Sequence, residues 1–484
     1  MVDVGLVDDA QTPQIPGLSL PSILRLGLFQ GCLGCLAVIF TGLLNRVMIS
    51  ELGLPGLLVG GALAFEQIVA PSRVWFGQMS DAHPLAGRHR LPYIWLGTAL
   101  FCGLAVLSVP LIFHVASLMR ADSSSTWLAI AALCGLFAAY GLAVSLATTP
   151  YLALVIDRTS EVERPRAVGL IWCLLTVGIV VGAGAIGLSL KGLDGVSDPA
   201  ILREVLLTFM GRVVLVVLVL TLVATLGMEP RSAAPTPSAV GSTRVGGAGR
   251  DDALTLGQAW ALLTSSVQIL VFFIFLVLFS LALFLQDPIL ESYGAEVFGM
   301  PIAATAALNG VWGVGTLVGL LLAGLWLVPR LGKLNAARLG CRLIASTLLL
   351  LIFAGLLGQV SVLKPVLFFF GLAAGIGTNS ALVLMLDLTL PQAAGTFVGL
   401  WGLGQALSRA FAKVIGGGLL DVGRLLQERW LPQSSSAFPA FALVLAVEAL
   451  VAIAALLVLA RLNPRQFKED AGRSLHRVLA VELG

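Results

Sequence analysis

The feature that most limits the fold is a recurrence of apolar runs of about 20 residues, the length a helix needs to cross a hydrocarbon layer ~30 Å thick. Turn residues bound twelve of them, over 22–49, 56–79, 92–114, 127–155, 167–190, 206–228, 268–286, 302–328, 338–358, 363–386, 395–418 and 438–460. Backbone passing through hydrocarbon must satisfy its own N–H and C=O groups, and a helix does so within one segment. Composition agrees: 58% of the residues are hydrophobic and 11% charged, where a soluble domain carries roughly 25% charged. The expected class is all-α integral membrane with twelve transmembrane helices. A net charge of +3 offers no basic footprint, so nucleic acid is not expected as a partner. The six cysteines fall inside predicted spans and read as small packing residues, Cys32-x-x-Cys35 included. The first run follows an acidic, proline-containing leader without a small-residue cleavage site, and reads as a retained helix.

The runs divide into two halves. Residues 1–21 form an N-terminal segment, 22–228 a first six-helix half, 259–460 a second, and 461–484 a C-terminal tail. Between the halves, 229–258 is rich in Pro, Gly and Ser and reads as a flexible linker. Lys and Arg concentrate on the side of the termini and linker, which predicts that both termini are cytoplasmic. The halves also repeat each other. LVIDRT, carrying Asp157, matches LMLDLT, carrying Asp387, and a VGL follows each at the same spacing. LGLP ending at Pro55 and FGMP ending at Pro301 open the second span of each half. Two six-helix parallel repeats joined by a polar linker are the pattern of the major facilitator fold.

The loop GQMSDAHPLAGRHR, 77–90, carries Gly77, Asp81, Gly87, Arg88 and Arg90. It resembles a stretched form of the major facilitator loop signature. Gly77 suits close helix approach, and Asp81 is placed to cap the next helix or pair with a basic group. TGLLNRVMISELGLPGLLVG, SDAHPLAGRHRLPYIWLGT, LQDPILESYGAEVFGM and GTFVGLWGLGQALSRAFAKVIGGGLLD, in that order, together resemble the PucC family of the major facilitator superfamily. His89 interrupts the basic run of RHRLPYIW, where many members are more continuously basic. The resemblance implies a role in assembling light-harvesting complexes, with a chlorophyll-type magnesium tetrapyrrole as cargo. It implies antenna or photosystem polypeptides as partners, alongside membrane lipid, and a thylakoid or photosynthetic plasma membrane as the location. The form of the QDPILESYGAEVFGM segment is similar to the branch of oxygenic phototrophs, which favours chlorophyll over bacteriochlorophyll.

Polar residues inside the spans are few, and charge at that depth costs at least ~2.5–3.5 kcal/mol, so such residues usually face a partner or a cavity. The seventh run stops at Gln286-Asp287-Pro288 with Glu291 close behind. Asp287 as N-cap, Pro288 at the first helical position and Glu291 in the first turn would let the helix break and restart. Such a break is also a candidate lateral gate or contact for an antenna polypeptide. A magnesium tetrapyrrole needs an axial ligand, and no histidine lies mid-span. Glu66, Asn309, Asn379 and Gln405 are the available donors, with Gln30 a further polar residue; each amide equally suits an interhelical hydrogen bond. In the implied fold, spans two and eleven face each other, which predicts a Glu66–Arg409 pair between the halves, with Lys413 on the same face. That pair reads either as a latch or as a pigment-binding site.

Two other functions are weighed. A secondary transporter of a small apolar or amphipathic solute fits the fold, although acid inside the spans is sparse. A polyprenyl-transferase-like enzyme needs paired aspartate clusters for magnesium diphosphate, and Asp194-x-x-x-Asp198 stands alone in a loop. An enzyme is therefore not expected.

Overall fold

The computed structural model describes residues 19–85, 87–159, 164–191, 198–229, 266–388, 394–430 and 436–467. Most of the expected linker, from 230 onward, and most of both terminal segments lie outside the described residues.

The first half begins with α1, Leu20–Val38, which runs on through two π-helical stretches, Ile39–Leu44 and Val47–Glu51. The predicted second span is two helices: α2, Gly56–Ile68, and α3, Ser72–Ala82. Pro71 sits in the intervening turn, where it lacks an N–H to continue the ladder and disfavours helical geometry at Ala70. Then follow α4, Leu91–Arg120; α5, Thr126–Arg158; α6, Arg164–Ser189; and α7, Pro199–Thr225. The second half holds α8, Val267–Phe284, and a short α9, Leu290–Glu296. Next come α10, Ile302–Leu322, extended through a π-helical turn to Leu331, and α11, Lys333–Leu357. The half closes with α12, Val360–Leu388; α13, Ala394–Trp430; and α14, Phe438–Ala460.

Among the described residues, ten helices are long and apolar enough to cross a membrane. The two predicted spans outside that set have specific reasons. The second is split at Pro71. The eleventh lies within α13, which runs twelve residues past the predicted end at 418 and carries Arg409, Lys413, Asp421 and Arg424. These two irregular passages pack against each other across the halves.

Helix pairing follows the repeat. In the first half α1 packs on α6, α4 on α5 and α4 on α7; in the second, α8 packs on α13, α11 on α12 and α11 on α14. The halves meet through α2 on α13 and α6 on α10, the two contacts a pseudo-twofold axis exchanges. Glycines bring α2 and α13 to backbone contact. A Cβ on Gly60 would run into the Lys413 carbonyl, and one on Gly417 into the Gly56 carbonyl.

Candidate functional site: the cavity between the halves

A cavity of about 250 Å³ lies between the halves. From the first half it is bordered by Phe40 and Thr41 of α1, Glu66 and Gln67 of α2, Tyr140 of α5 and Ile179 of α6. From the second half come Phe284, Asp287, Asn309 and Trp312, with Arg409 and Lys413 of α13. Phe40 and Thr41 belong to the first π-helical stretch of α1, where the helix widens and its register shifts. Phe40 stacks on Tyr140 with ring centroids 4.2 Å apart, giving the cavity an aromatic wall.

Its charges pair in an order the sequence did not predict. Lys413 Nζ lies 3.7 Å from Glu66 Oε2, with the side chains only 7% and 20% exposed. The ammonium also donates to the Leu63 carbonyl at 3.4 Å, and Gln67 Nε2 donates to Glu66 Oε1 at 3.4 Å. The expected Glu66–Arg409 pair is therefore corrected to Glu66–Lys413, still joining the two halves. Gly60 seats against the Lys413 carbonyl, so the lysine stem starts at the helix contact and reaches along α2 to the carboxylate. Arg409, one turn earlier in α13, turns into the cavity instead. Its guanidinium carbon sits 4.6 Å from the Phe284 ring centroid. Asp287 borders the same cavity.

The broken seventh span is also rebuilt. α8 ends at Phe284 and α9 starts at Leu290, with Ile289 in the cap position and no side-chain cap. Asp287 is thus not the N-cap; its side chain borders the cavity. Pro288 precedes the first helical turn instead of occupying its start, so the aspartate lies too far upstream to cap it. Groups freed by the break find partners on other helices. Asn45 Nδ2 donates to the Pro288 carbonyl at 2.6 Å, and the Gln286 N–H donates to Glu448 Oε1 at 3.3 Å. Glu291 does lie in the first turn of α9, but it is buried and accepts from Asn309 Nδ2 at 2.6 Å. A Cβ on Gly42 of α1 would overlap Glu291 Oε1 and sit 2.8 Å from Asn309 Nδ2, so this contact needs glycine.

Toward the side opposite the termini, polar bonds tie the halves together. Arg46 donates to the Met300 carbonyl at 3.1 Å and to Thr305 Oγ1, and pairs with Glu51 at 3.3 Å. Ser50 Oγ donates to Glu296 Oε1 at 2.9 Å, and Arg424 Nη2 reaches both Glu296 oxygens at 2.9 Å. Asp421 of α13 accepts from the Gly56 and Leu57 amides at 2.7 Å each, capping α2 from the other half. Sequence reasoning passed over Asn45, Arg46, Asp421 and Arg424. A usable signal was present: Pro55-Gly56 opens α2 without a capping side chain, and Asp421 and Arg424 share a helix face just past an apolar run.

On the terminal side, Glu229 accepts from the amides of His89 at 2.7 Å, Arg90 at 3.0 Å and Leu91 at 2.8 Å. Glu229, beyond α7, thus caps the start of α4. Asp81 falls in the last turn of α3 with its side chain outside the described residues. Arg90 donates to Asp157 at 3.1 Å and to Ser80 Oγ at 2.7 Å, tying three helices together. Gly87 turns the loop with φ +72°, and Gly77 lies against Thr149 of α5. Arg88 is partly buried beside them. The other repeat aspartate, Asp387, is in α12 with its side chain outside the described residues. Asn379 donates to the Leu320 carbonyl at 2.8 Å, an interhelical bond. Gln30 is buried in α1 and Gln405 partly buried in α13; the cavity lining includes neither.

The chain is similar to several known proteins. It is 31% identical to the "Uncharacterized protein in puhA-bchM intergenic region" of Rhodobacter capsulatus, over 86% of this chain and 82% of that one. It is 31% identical to the "Bacteriochlorophyll synthase 44.5 kDa chain" of the same species, over 90% and 93%. It is 29% identical to "Protein PucC" of Cereibacter sphaeroides, over 86% of each. Among solved structures it resembles a D-xylose-proton symporter, with TM-score 0.65, 14% identity and 91% and 97% of the chains covered. The nucleoside transporter NupG gives TM-score 0.62, 15% identity and coverage of 92% and 99%. At such identity the likeness speaks for fold alone. The family model described as "PUCC protein" matches residues 43–467, and with this helix arrangement the chain belongs to that family, as an integral membrane protein of the major facilitator fold.

Proposed function

We propose that this protein is a membrane assembly factor that binds a chlorophyll-type pigment and hands it to light-harvesting or photosystem polypeptides. The observation that carries the reading is the family match over 43–467, with a relative named as a bacteriochlorophyll synthase chain. The cavity supports it chemically: aromatic walls for a planar apolar ring, and a few polar groups at fixed places. At about 250 Å³ it falls below the ~300–1,000 Å³ of ordinary ligand pockets. It therefore takes one edge of a tetrapyrrole in this conformation, with the rest admitted as the halves part on the terminal side. Of the oxygen donors considered for magnesium, Glu66 and Asn309 border the cavity; Glu66 is held by Lys413, whereas Asn309 binds Glu291 through its Nδ2. Asp287 borders it as well.

In this reading both termini are cytoplasmic, in a thylakoid or photosynthetic plasma membrane. The protein works by holding and releasing cargo, not by making it. A secondary transporter of a small amphipathic solute is the second reading, favoured by the charged pair inside the cavity. A clean deletion separates the two. Pigment handling predicts fewer assembled chlorophyll-binding complexes with unchanged uptake of polar solutes. Normal complexes alongside a solute-uptake defect would replace it with the transporter reading. Isolation in mild detergent, followed by an absorption spectrum and identification of co-purifying polypeptides, tests cargo and partner directly.

A further inference from the structure

Resting on the pigment-handling reading, we infer that the cavity binds an anionic amphipath, an apolar ring or chain bearing a carboxylate, with Arg409 as the residue that receives the anion. The charged groups of the cavity differ in the partners they already have. Glu66 is held by Lys413 at 3.7 Å and by Gln67 at 3.4 Å. Lys413 is 7% exposed and also bonds the Leu63 carbonyl. Arg409 differs. Its guanidinium borders the cavity, keeps much of its surface open, and among the described residues has no contact ion pair or hydrogen-bond acceptor. Its close contact is the Phe284 ring, 4.6 Å from the guanidinium carbon. That contact holds the plane in place and leaves its edge of N–H donors unused.

The charge balance points the same way. Glu66 and Asp287 border the cavity with Arg409 and Lys413, two acids against two bases. With Lys413 on Glu66, the remaining cavity acid, Asp287, makes no contact pair with Arg409 among the described residues, and charge at this depth is costly unless paired. A second unfilled donor borders the same cavity. Trp312 borders the cavity with its indole N–H buried and without an acceptor. A planar guanidinium with an unused edge matches a carboxylate in a way that a neutral ester does not. Within the tetrapyrrole class this selects the free acid over the long-chain ester.

The test uses full-length protein in detergent, with chlorophyllide a, its phytyl ester chlorophyll a, and palmitate as probes, followed by tryptophan quenching. Chlorophyllide a should bind about ten- to a hundredfold more tightly than chlorophyll a. Arg409→Gln should abolish that preference, and Arg409→Lys should retain part of it. Unchanged thermal unfolding and a monodisperse elution profile show that a variant is folded. Should Arg409→Gln fail to fold, Arg409→Lys together with Phe284→Leu supplies the same comparison. Equal binding of acid and ester, unaffected by Arg409, overturns the anion site and leaves pigment handling standing. Palmitate binding that depends on Arg409, with neither tetrapyrrole bound, upholds the anion site and removes the pigment reading.

Discussion

Lys413 illustrates how one side chain can hold two halves of a membrane protein together. Its ammonium meets Glu66 across the interface and also bonds the α2 backbone at Leu63. Lys413→Met leaves Glu66 with Gln67 alone, and an ionised group stripped of its partner in a low-dielectric site costs about 1–3 kcal/mol or more. A lowered midpoint of thermal unfolding is expected. Glu66→Gln in the same chain should recover much of it, because both charges are then gone. A double-mutant cycle should give a coupling of roughly 0.5–3 kcal/mol. Additive single effects would mean that the pair contributes nothing beyond packing.

At the scale of the element, the break between α8 and α9 is held from outside, not by its own sequence. Asp287 looks like a cap in the sequence, yet the helix it would cap starts at Leu290 with Ile289 before it. Asp287→Ala removes no cap, so its cost should be limited to the counter-charge it offers Arg409 across the cavity, about 1 kcal/mol or less. Asn45→Leu should do more. It strands the Pro288 carbonyl that Asn45 holds at 2.6 Å, and an unsatisfied buried acceptor costs about 1–3 kcal/mol. Chemical denaturation in a fixed detergent compares the two; a larger loss from Asp287→Ala would restore the capping account. The α2–α13 contact is similarly exacting. Gly60→Val should weaken the join between halves, because a side chain there enters the Lys413 carbonyl.

For the whole molecule, the bonds joining the halves through Arg46, Ser50, Asp421 and Arg424 lie toward the side opposite the termini. With that side tied, access to the cavity is expected from the terminal side. Thr41→Cys in a cysteine-free background places a thiol in the cavity wall. A membrane-impermeant maleimide should label it from the terminal side. In the Asp421→Ala/Arg424→Ala background, labelling from the opposite side should appear. Labelling from the opposite side in the parent would mean that these bonds do not seal it. A reporter placed within 235–250 should lie on the same side as both termini; the other side would overturn the parity of crossings.

The sequence by itself determined the class and the plan. Apolar runs of membrane-spanning length, a repeat built around Asp157 and Asp387, and four ordered motifs were enough for a two-half helical membrane protein and its family, because burial against lipid is written into composition and period. It also marked the residues of the site. Glu66, Asp287, Asn309, Arg409 and Lys413 stand out as polar in apolar surroundings, and all five border the cavity. What only the tertiary structure decided was partnership. Depth along a helix can be counted at about 1.5 Å per residue, but the direction a long side chain takes depends on where backbones touch. The glycine contacts of α2 with α13 set that, giving Lys413 to Glu66 and turning Arg409 toward Phe284. The remote caps, Asp421 on α2 and Glu229 on α4, belong here too: an uncapped helix start can be read locally, but the residue that caps it, 365 positions away for Gly56 and 140 for His89, cannot.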